Sequence, residues 1–326
     1  MTTINSDTRV PVTVLTGFLG SGKTTLVNRI LTENHGKRIA VIENEYNELS
    51  IDRDLIVNEA EEIVEMNNGC LCCMVRGDLM VALRNLLKRR EKFDYILIET
   101  SGLTDPGPVA QTFILDDYLK DKVRLDGIVT LVDSKHVWLH IDERDELREQ
   151  IGFADVILLN KTDLATEPEL QKLEGRIRDI NALAKTHRTQ NSAADMDDIL
   201  ELGAFEAERI LATHPNLLSE DEDECGIAEG VTSIGITFKG ELDEDKVEEW
   251  AHELGHDRGA DIFRSKGVLS FKGVDDRVVF QGVHAIFDGQ IDRPWGDNPR
   301  FNKVVFIGLN LDKAELESGL KACIAD

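Results

Sequence analysis

Up to Asn181 the chain alternates short runs that are apolar at nearly every position with longer stretches in which apolar residues recur every three or four. The short runs are Val12-Thr13-Val14-Leu15, Ile39-Ala40-Val41-Ile42, Tyr95-Ile96-Leu97-Ile98, Ile128-Val129-Thr130-Leu131-Val132 and Val156-Ile157-Leu158-Leu159. They are rich in β-branched residues and lack the in–out alternation of a half-exposed strand, so they predict parallel strands covered on both faces. The helical periodicity falls at Thr24 to Glu33, Asp78 to Arg90 and Glu167 to Asn181. Strand and helix taken in turn predict a three-layer α/β domain with a parallel sheet, whose ligands sit at the carboxyl ends of the strands.

The pattern breaks at Ser219-Glu220-Asp221-Glu222-Asp223-Glu224, a block of like charge without apolar periodicity. Such a block predicts a solvated linker. Beyond it come a strand (Ser233 to Phe238), a helix (Asp243 to Leu254), strand-like runs at Gly267 to Phe271, Arg277 to Phe287 and Lys303 to Leu309, and a last helix from Asp312 to Cys323. The expectation is a domain over residues 1–218, an acidic linker over 219–230 and a smaller α+β domain over 231–326, with no internal repeat. At 326 residues and 41% hydrophobic content, two cores are the default.

A net charge of −25 argues against general affinity for nucleic acid or anionic membranes, both of which require Lys and Arg to neutralise phosphate. No apolar run approaches the roughly 20 residues that cross a bilayer, and the polar start Met1 to Arg9 has no signal-peptide core. A cytoplasmic setting is the expectation. In a reducing compartment the five cysteines, three of them at positions 70, 72 and 73, favour metal or redox chemistry over disulfides. Cys225 and Cys323 stand apart as bystanders.

Between the first predicted strand and the first helix lies Gly17-Phe18-Leu19-Gly20-Ser21-Gly22-Lys23-Thr24, followed by Thr25. The glycines (Gly17, Gly20, Gly22) let backbone N–H groups, with that of Ser21, close round phosphates at a positive helix end. Lys23 neutralises the outer phosphates and the Thr24 hydroxyl can bind Mg²⁺. Glu99-Thr100-Ser101-Gly102 closes another strand at the same sheet edge, so Glu99 can hold Mg²⁺ through water and the Gly102 N–H can sense a γ-phosphate. Asn160-Lys161-Thr162-Asp163 matches the guanine-reading pattern: Asp163 accepts two guanine N–H donors and the Lys161 stem covers the ring. Adenine offers no such pair of donors, so the pattern favours GTP over ATP. Leu103 follows Gly102 where Ras-like GTPases place the glutamine that orients water, which predicts slow intrinsic hydrolysis.

Gly69-Cys70-Leu71-Cys72-Cys73 lies in a turn flanked by Gly and Asn after the run Ile63 to Met66. Three thiolates on one ion need a bent backbone there, and the upstream segment Glu43-Asn44-Glu45-Tyr46-Asn47-Glu48 could supply carboxylates to a mixed sulfur and oxygen site. Spacing alone leaves buried or redox-active thiols as the other reading.

The phosphate loop, Glu43-Asn44-Glu45, Gly69 to Cys73, Glu99 to Gly102 and Asn160 to Asp163, in that order, resemble the CobW family of metallochaperone GTPases. The resemblance continues through Arg264-Ser265-Lys266-Gly267, Val279 to His284, Trp295 and Arg300 to Lys303. It implies a phosphate-loop GTPase domain joined to a CobW C-terminal domain that binds GTP, Mg²⁺ and Zn²⁺ or Co²⁺ and hands the metal to a client protein. It further implies metal ligation by Glu43, Glu48 and Cys72, with Cys70 and Cys73 completing the motif. Many relatives carry a histidine-rich tract near the domain junction where this chain has Glu220 to Glu224, which speaks for delivery over storage. A metal-binding regulator or store with incidental GTPase activity is the alternative. Monomer and nucleotide-dependent homodimer both fit the sequence, and the client is not identifiable from it.

His252-Glu253-Leu254-Gly255-His256 matches a zinc-protease pattern. No methionine follows Met196 to form a Met-turn, so a solvated helix face is preferred. His136 and His140 have the same one-turn spacing and the same reading, and His284 reads as a core or interface histidine.

Overall fold

The computed structural model describes residues 8–43, 63–65, 73–204 and 231–325. The expected strands and helices form, joined in the first domain by two further strands and three further helices. In chain order the first domain runs β1 (Val10–Gly17), α1 (Lys23–Thr32), β2 (Ile39–Glu43), β3 (Ile63–Glu65), α2 (Cys73–Leu87), β4 (Tyr95–Glu99), α3 (Gly107–Leu115), α4 (Asp117–Lys120), β5 (Val123–Asp133), α5 (Asp145–Phe153), β6 (Val156–Asn160), α6 (Glu167–Ile180) and β7 (Lys185–Arg188). Its seven strands are ordered β3-β2-β4-β1-β5-β6-β7 and every pairing is parallel. The edge strand β7 has no buried residue, which is why an apolar pattern does not reveal it.

Helices cover both faces. Val12, Val14, Ile96, Ile98, Leu83, Phe113 and Ile151 fill one side, and Leu15, Leu26, Ile30, Val41, Leu97 and Leu158 the other. Each fully buried side chain of this size stabilises the fold by about 1.5–3 kcal/mol before entropy is counted.

The second domain contains β8 (Val231–Phe238), α7 (Glu244–Arg258), β9 (Ile262–Leu269), β10 (Asp276–Val283), β11 (Ile286–Pro294), β12 (Asn302–Leu309) and α8 (Lys313–Ala322). Its sheet order is β11-β10-β9-β12-β8, antiparallel throughout. The run Arg277 to Phe287, read as one strand, is in fact broken by a hairpin turn at His284 and Ala285. The apolar run in β12 has a different cause from that in the first domain: Val304 and Phe306 face the helices of their own domain, while Val305 and Ile307 join the core of the first. The period of two is preserved, but both faces are apolar because both are covered.

Docking runs through α5. A β-carbon on Gly152 would lie 3.2 Å from Phe263 and 3.6 Å from Ile307, so the helix backbone itself rests on the second sheet. Beside it Asp155 receives Arg264 Nη2 at 2.9 Å and also pairs with Lys266 Nζ, which in turn donates to the Ala204 carbonyl at 2.7 Å. Arg264 further donates to the Phe153 carbonyl. All three charged side chains are buried. Burial acts to raise Asp155, yet the charges of Arg264 and Lys266 outweigh it and hold the carboxyl below its ordinary value. Lys266 moves down, to about 8, because burial and the charge of Arg264 exceed the pull of Asp155.

Candidate functional site

The phosphate loop turns sharply after β1. Gly17, Gly20 and Gly22 all have positive φ, at 141°, 73° and 108°, a region open chiefly to glycine. A β-carbon on Gly17 would stand 2.4 Å from the Leu131 carbonyl oxygen, and one on Gly22 2.5 Å from Asn160 Nδ2. Lys23 begins α1, and its ammonium donates to the carbonyls of Gly17 at 2.7 Å and Phe18 at 3.4 Å, which centres the charge over the loop. Ser21 is buried, Thr24 half-buried and Thr25 exposed on the first turn of α1.

The Thr24 hydroxyl lies 3.4 Å from Glu99 Oε1 at the end of β4. A hydroxyl beside a carboxylate is a hard oxygen pair suited to Mg²⁺. Gly102 presses against the phosphate loop, since a β-carbon there would meet Leu19 N at 2.7 Å and Leu19 Cδ2 at 2.6 Å. Gln150 of α5 donates to the carbonyls of Gly102 and Thr104, both at 3.2 Å, and fixes this loop from behind. Leu103, between them, is exposed.

In the Asn160 to Asp163 segment the first residue does not reach outward. Asn160 is buried; its Nδ2 donates to the Ser21 carbonyl at 2.9 Å and to Ser192 Oγ at 3.0 Å, and its Oδ1 accepts from Ser192 N at 2.9 Å and Thr189 Oγ1 at 3.2 Å. Ser192 Oγ closes the circuit by donating to the Gly22 carbonyl at 2.9 Å. Asn160 therefore ties the phosphate loop to the loop after β7. Asn191 and Ser192 hold that loop in left-handed backbone, at φ 51° and 55°. Thr189 and Ser192 were missed in the sequence because polar loop residues carry no periodic signal.

Lys161 is also left-handed, at φ 60°, and its ammonium lies 2.7 Å from Asp133 Oδ2 at the end of β5. Burial tends to raise Asp133, but Lys161 and the donors of His136 and Lys135 win and hold it at about 2. Asp133 is a third unforeseen member of the site. Asp163 is exposed in a 3₁₀ turn beside it. His136 and His140 flank a single 3₁₀ turn in place of a longer helix, and the ring of His140 packs 5.0 Å from that of Phe18 in the phosphate loop.

Of the metal candidates, Glu43 closes β2 in register with Glu99 of β4 and Glu65 of β3. Cys73 is the first residue of α2. Glu48, Cys70 and Cys72 lie outside the described residues, as do Cys225 and the acidic linker. Cys323 is buried and donates to the carbonyls of Gly319 and Lys246, a structural thiol. His252 and His256 lie on the solvent face of α7, and the His256 ring is bonded to Asp257 at 2.8 Å. Among the described residues no cluster of three or more His, Cys, Asp or Glu is arranged to hold a metal, and no helix is long and apolar enough to cross a membrane.

A parallel sheet with a glycine loop feeding α1, an oxygen pair at Thr24 and Glu99 and an Asn-Lys-Thr-Asp segment defines a phosphate-loop nucleotide-binding protein, here fused to an antiparallel α+β domain. Residues 11–188 match the CobW/HypB/UreG nucleotide-binding domain and residues 231–324 the cobalamin synthesis protein CobW C-terminal domain, so the chain belongs to the CobW family. It is 36% identical over 316 residues to zinc chaperone YjiA of Escherichia coli, covering 95% of this chain and 97% of the relative. It is 33% identical to zinc-regulated GTPase metalloprotein activator 1 of Dictyostelium discoideum, over 97% of this chain and 80% of that protein. The crystal structure of Zn(II)-bound YjiA GTPase from E. coli superposes with a TM-score of 0.76 at 31% identity, covering 97% of this chain and 99% of that one.

Proposed function

We propose that this protein hydrolyses GTP and uses the nucleotide cycle to gate the binding and delivery of Zn²⁺ to a client protein. The observation that carries the gating is the register of Glu43 with Glu99 on adjacent parallel strands. Neighbouring strands lie about 4.8 Å apart, so the carboxylate assigned to the metal and the one assigned to the nucleotide emerge side by side from one sheet edge. A change in either is felt by the other without a long relay.

In this reading the backbone of Gly17 to Lys23 cradles the phosphates, Lys23 neutralises the outer charge, and Asp163 selects guanine while Asp133 holds the Lys161 stem in place. Thr24 and Glu99 would hold Mg²⁺, which when bound offsets charge on the β- and γ-phosphates. Gly102 offers its N–H to the γ-phosphate and is kept against Leu19 by Gln150. Leu103 cannot orient water, so intrinsic turnover falls below about 1 s⁻¹. Glu43, Glu48 and Cys72, with Cys70 and Cys73, take the cargo ion. Mixed oxygen and sulfur donors suit Zn²⁺, and Co²⁺ is the second candidate.

The names of the relatives support zinc as cargo and a protein as its recipient. Linkage requires that if GTP changes Zn²⁺ affinity, Zn²⁺ changes GTP affinity by the same factor. Titrating Zn²⁺ into the GTP-analogue and GDP forms is expected to give dissociation constants that differ by about fivefold or more. Equal constants would remove the gate and leave a metal-binding GTPase.

A further inference from the structure

We propose that His284, in the second domain, is a positioning residue for GTP hydrolysis that holds Asp105 and thereby the loop carrying Gly102. The inference rests on the reading of Gly102 as the γ-phosphate sensor.

The turn between β10 and β11 contains only His284 and Ala285, since Val283 pairs with Ile286. His284 adopts φ 52°. Two-residue hairpins place positive φ at their first position and favour Gly or Asn there, because a larger side chain meets its own carbonyl at a cost of about 1–2 kcal/mol. A histidine in this place is the costlier choice for the turn, so its ring is the feature to explain.

That ring reaches across the domain boundary. Its Nε2 lies 3.5 Å from Asp105 Oδ2, within ion-pair range when the imidazole is protonated. Its face is fixed edge-on to Phe153 at 5.2 Å and Phe263 at 6.1 Å. A β-carbon on Gly107 would stand 2.4 Å from His284 Nε2, so the first turn of α3 is bare where the ring enters. Asp105 uses its other oxygen to accept the Gly107 N–H at 2.8 Å. One carboxylate thus joins the end of the loop, the start of α3 and the second domain.

The loop has two holds. Gln150 takes the carbonyls of Gly102 and Thr104 from within the first domain, and His284 faces Asp105 from the second. A parallel contact, Gln111 Nε2 donating to the Val283 carbonyl at 3.4 Å, ties α3 to the same hairpin. Beside them Glu149 is half-buried and sits near Asp105, His284, Asp145 and Glu146; burial, then Asp105, push it up to about 7, and His284 works against them. The hairpin therefore faces the hydrolysis loop with a polar ring nitrogen as well as its shape.

The two roles open to His284 predict opposite rank orders. Gln can place an amide near the position of Nε2, whereas Asn is shorter but suits left-handed backbone better. In steady-state GTP hydrolysis by the full chain, His284→Gln is expected to keep kcat within about twofold, and His284→Asn to lower kcat about five- to tenfold at unchanged KM. The melting temperature of His284→Asn should stay close to that of the parent, because the gain in the turn offsets the lost ring contacts with Phe153 and Phe263. Asp105→Asn combined with His284→Asn should lose no more than either alone. A parental kcat in His284→Asn, or equal losses in the Asn and Gln variants, overturns the proposal. Gly102→Ala separates the two levels: if it keeps parental kcat, the sensor reading fails and this inference with it. If it loses kcat while His284→Asn does not, this inference fails alone.

Discussion

Asn160 and Asp163 stand three residues apart in one motif, yet their physical roles differ. Asn160 is buried and spends its amide on Ser21, Thr189 and Ser192, so removing it strands several polar groups away from water. Each buried group left unpaired costs about 1–3 kcal/mol. Asn160→Ala should therefore lower stability by about 2–4 kcal/mol in denaturant titration and weaken GTP binding at least tenfold by loosening both loops. Asp163 is exposed, and Asp163→Ala should leave stability within about 0.5 kcal/mol while reducing the preference for GTP over ATP by about a hundredfold. Equal stability losses in the two variants would contradict this division. Glu149 makes the pH-dependent prediction at this scale. With its folded value raised to about 7 by burial first and Asp105 second, the native state holds more protons than the unfolded chain between the ordinary carboxylate range and pH 7. Stability contributed by this group is complete below that window and is lost as pH rises through it. Glu149→Gln should raise the melting temperature by about 2–4 °C at pH 8 and by little at pH 4, and a gain independent of pH would refute it.

Among elements, the loop between β4 and α3 decides how the site works. Its carbonyls at Gly102 and Thr104 are held by the Gln150 side chain, whose own backbone carbonyl accepts from Thr130 Oγ1 at 2.8 Å. Replacing Gln150 by Leu keeps the volume but deletes both donors, so the loop should lose its register against Leu19. The expected result is a kcat lowered about tenfold with KM changed less than threefold; a KM effect of equal size would mean that the loop serves binding. This loop also marks how far the sequence could be read. The buried strands and phosphate loop were legible because apolar runs and obligatory glycines leave direct traces at Val12 to Leu15, Gly17 and Gly22. The strand β7 was not, because Lys185 to Arg188 is a polar edge. The hairpin at His284 was hidden for a different reason: its turn uses a histidine where Gly or Asn would have announced it. Asp133, Thr189 and Ser192 escaped because a polar residue's partners are set by strands far away in sequence. Glu43 and Glu99 could each be named from a motif, but that they stand side by side required the strand order.

At the scale of the molecule, the two domains share a core through Phe153, Phe263, Val305 and Ile307, and the charged cluster of Asp155, Arg264 and Lys266 lies at its margin. Apolar burial holds the domains together, while the cluster fixes how they meet, since two cations on β9 have one buried carboxylate and the carbonyls of Phe153 and Ala204 as partners among the contacts described. Asp155 also accepts the Ile128 N–H at 2.8 Å, so the same side chain anchors β5. Asp155→Asn removes the buried carboxylate that Arg264 and Lys266 share, and breaking such a buried pair costs about 3–5 kcal/mol. Scanning calorimetry of the parent should show one transition, because the cores are continuous; in Asp155→Asn the second domain should separate and melt first. Replacing Arg264 and Lys266 by Met in the same background removes the two buried cations and should recover much of the loss, as apolar substitutes for buried ion pairs often do. If Asp155→Asn melts in a single transition at the parental temperature, the cluster does not fix the junction. The position of His284 over Asp105 would then have to come from the apolar contacts alone.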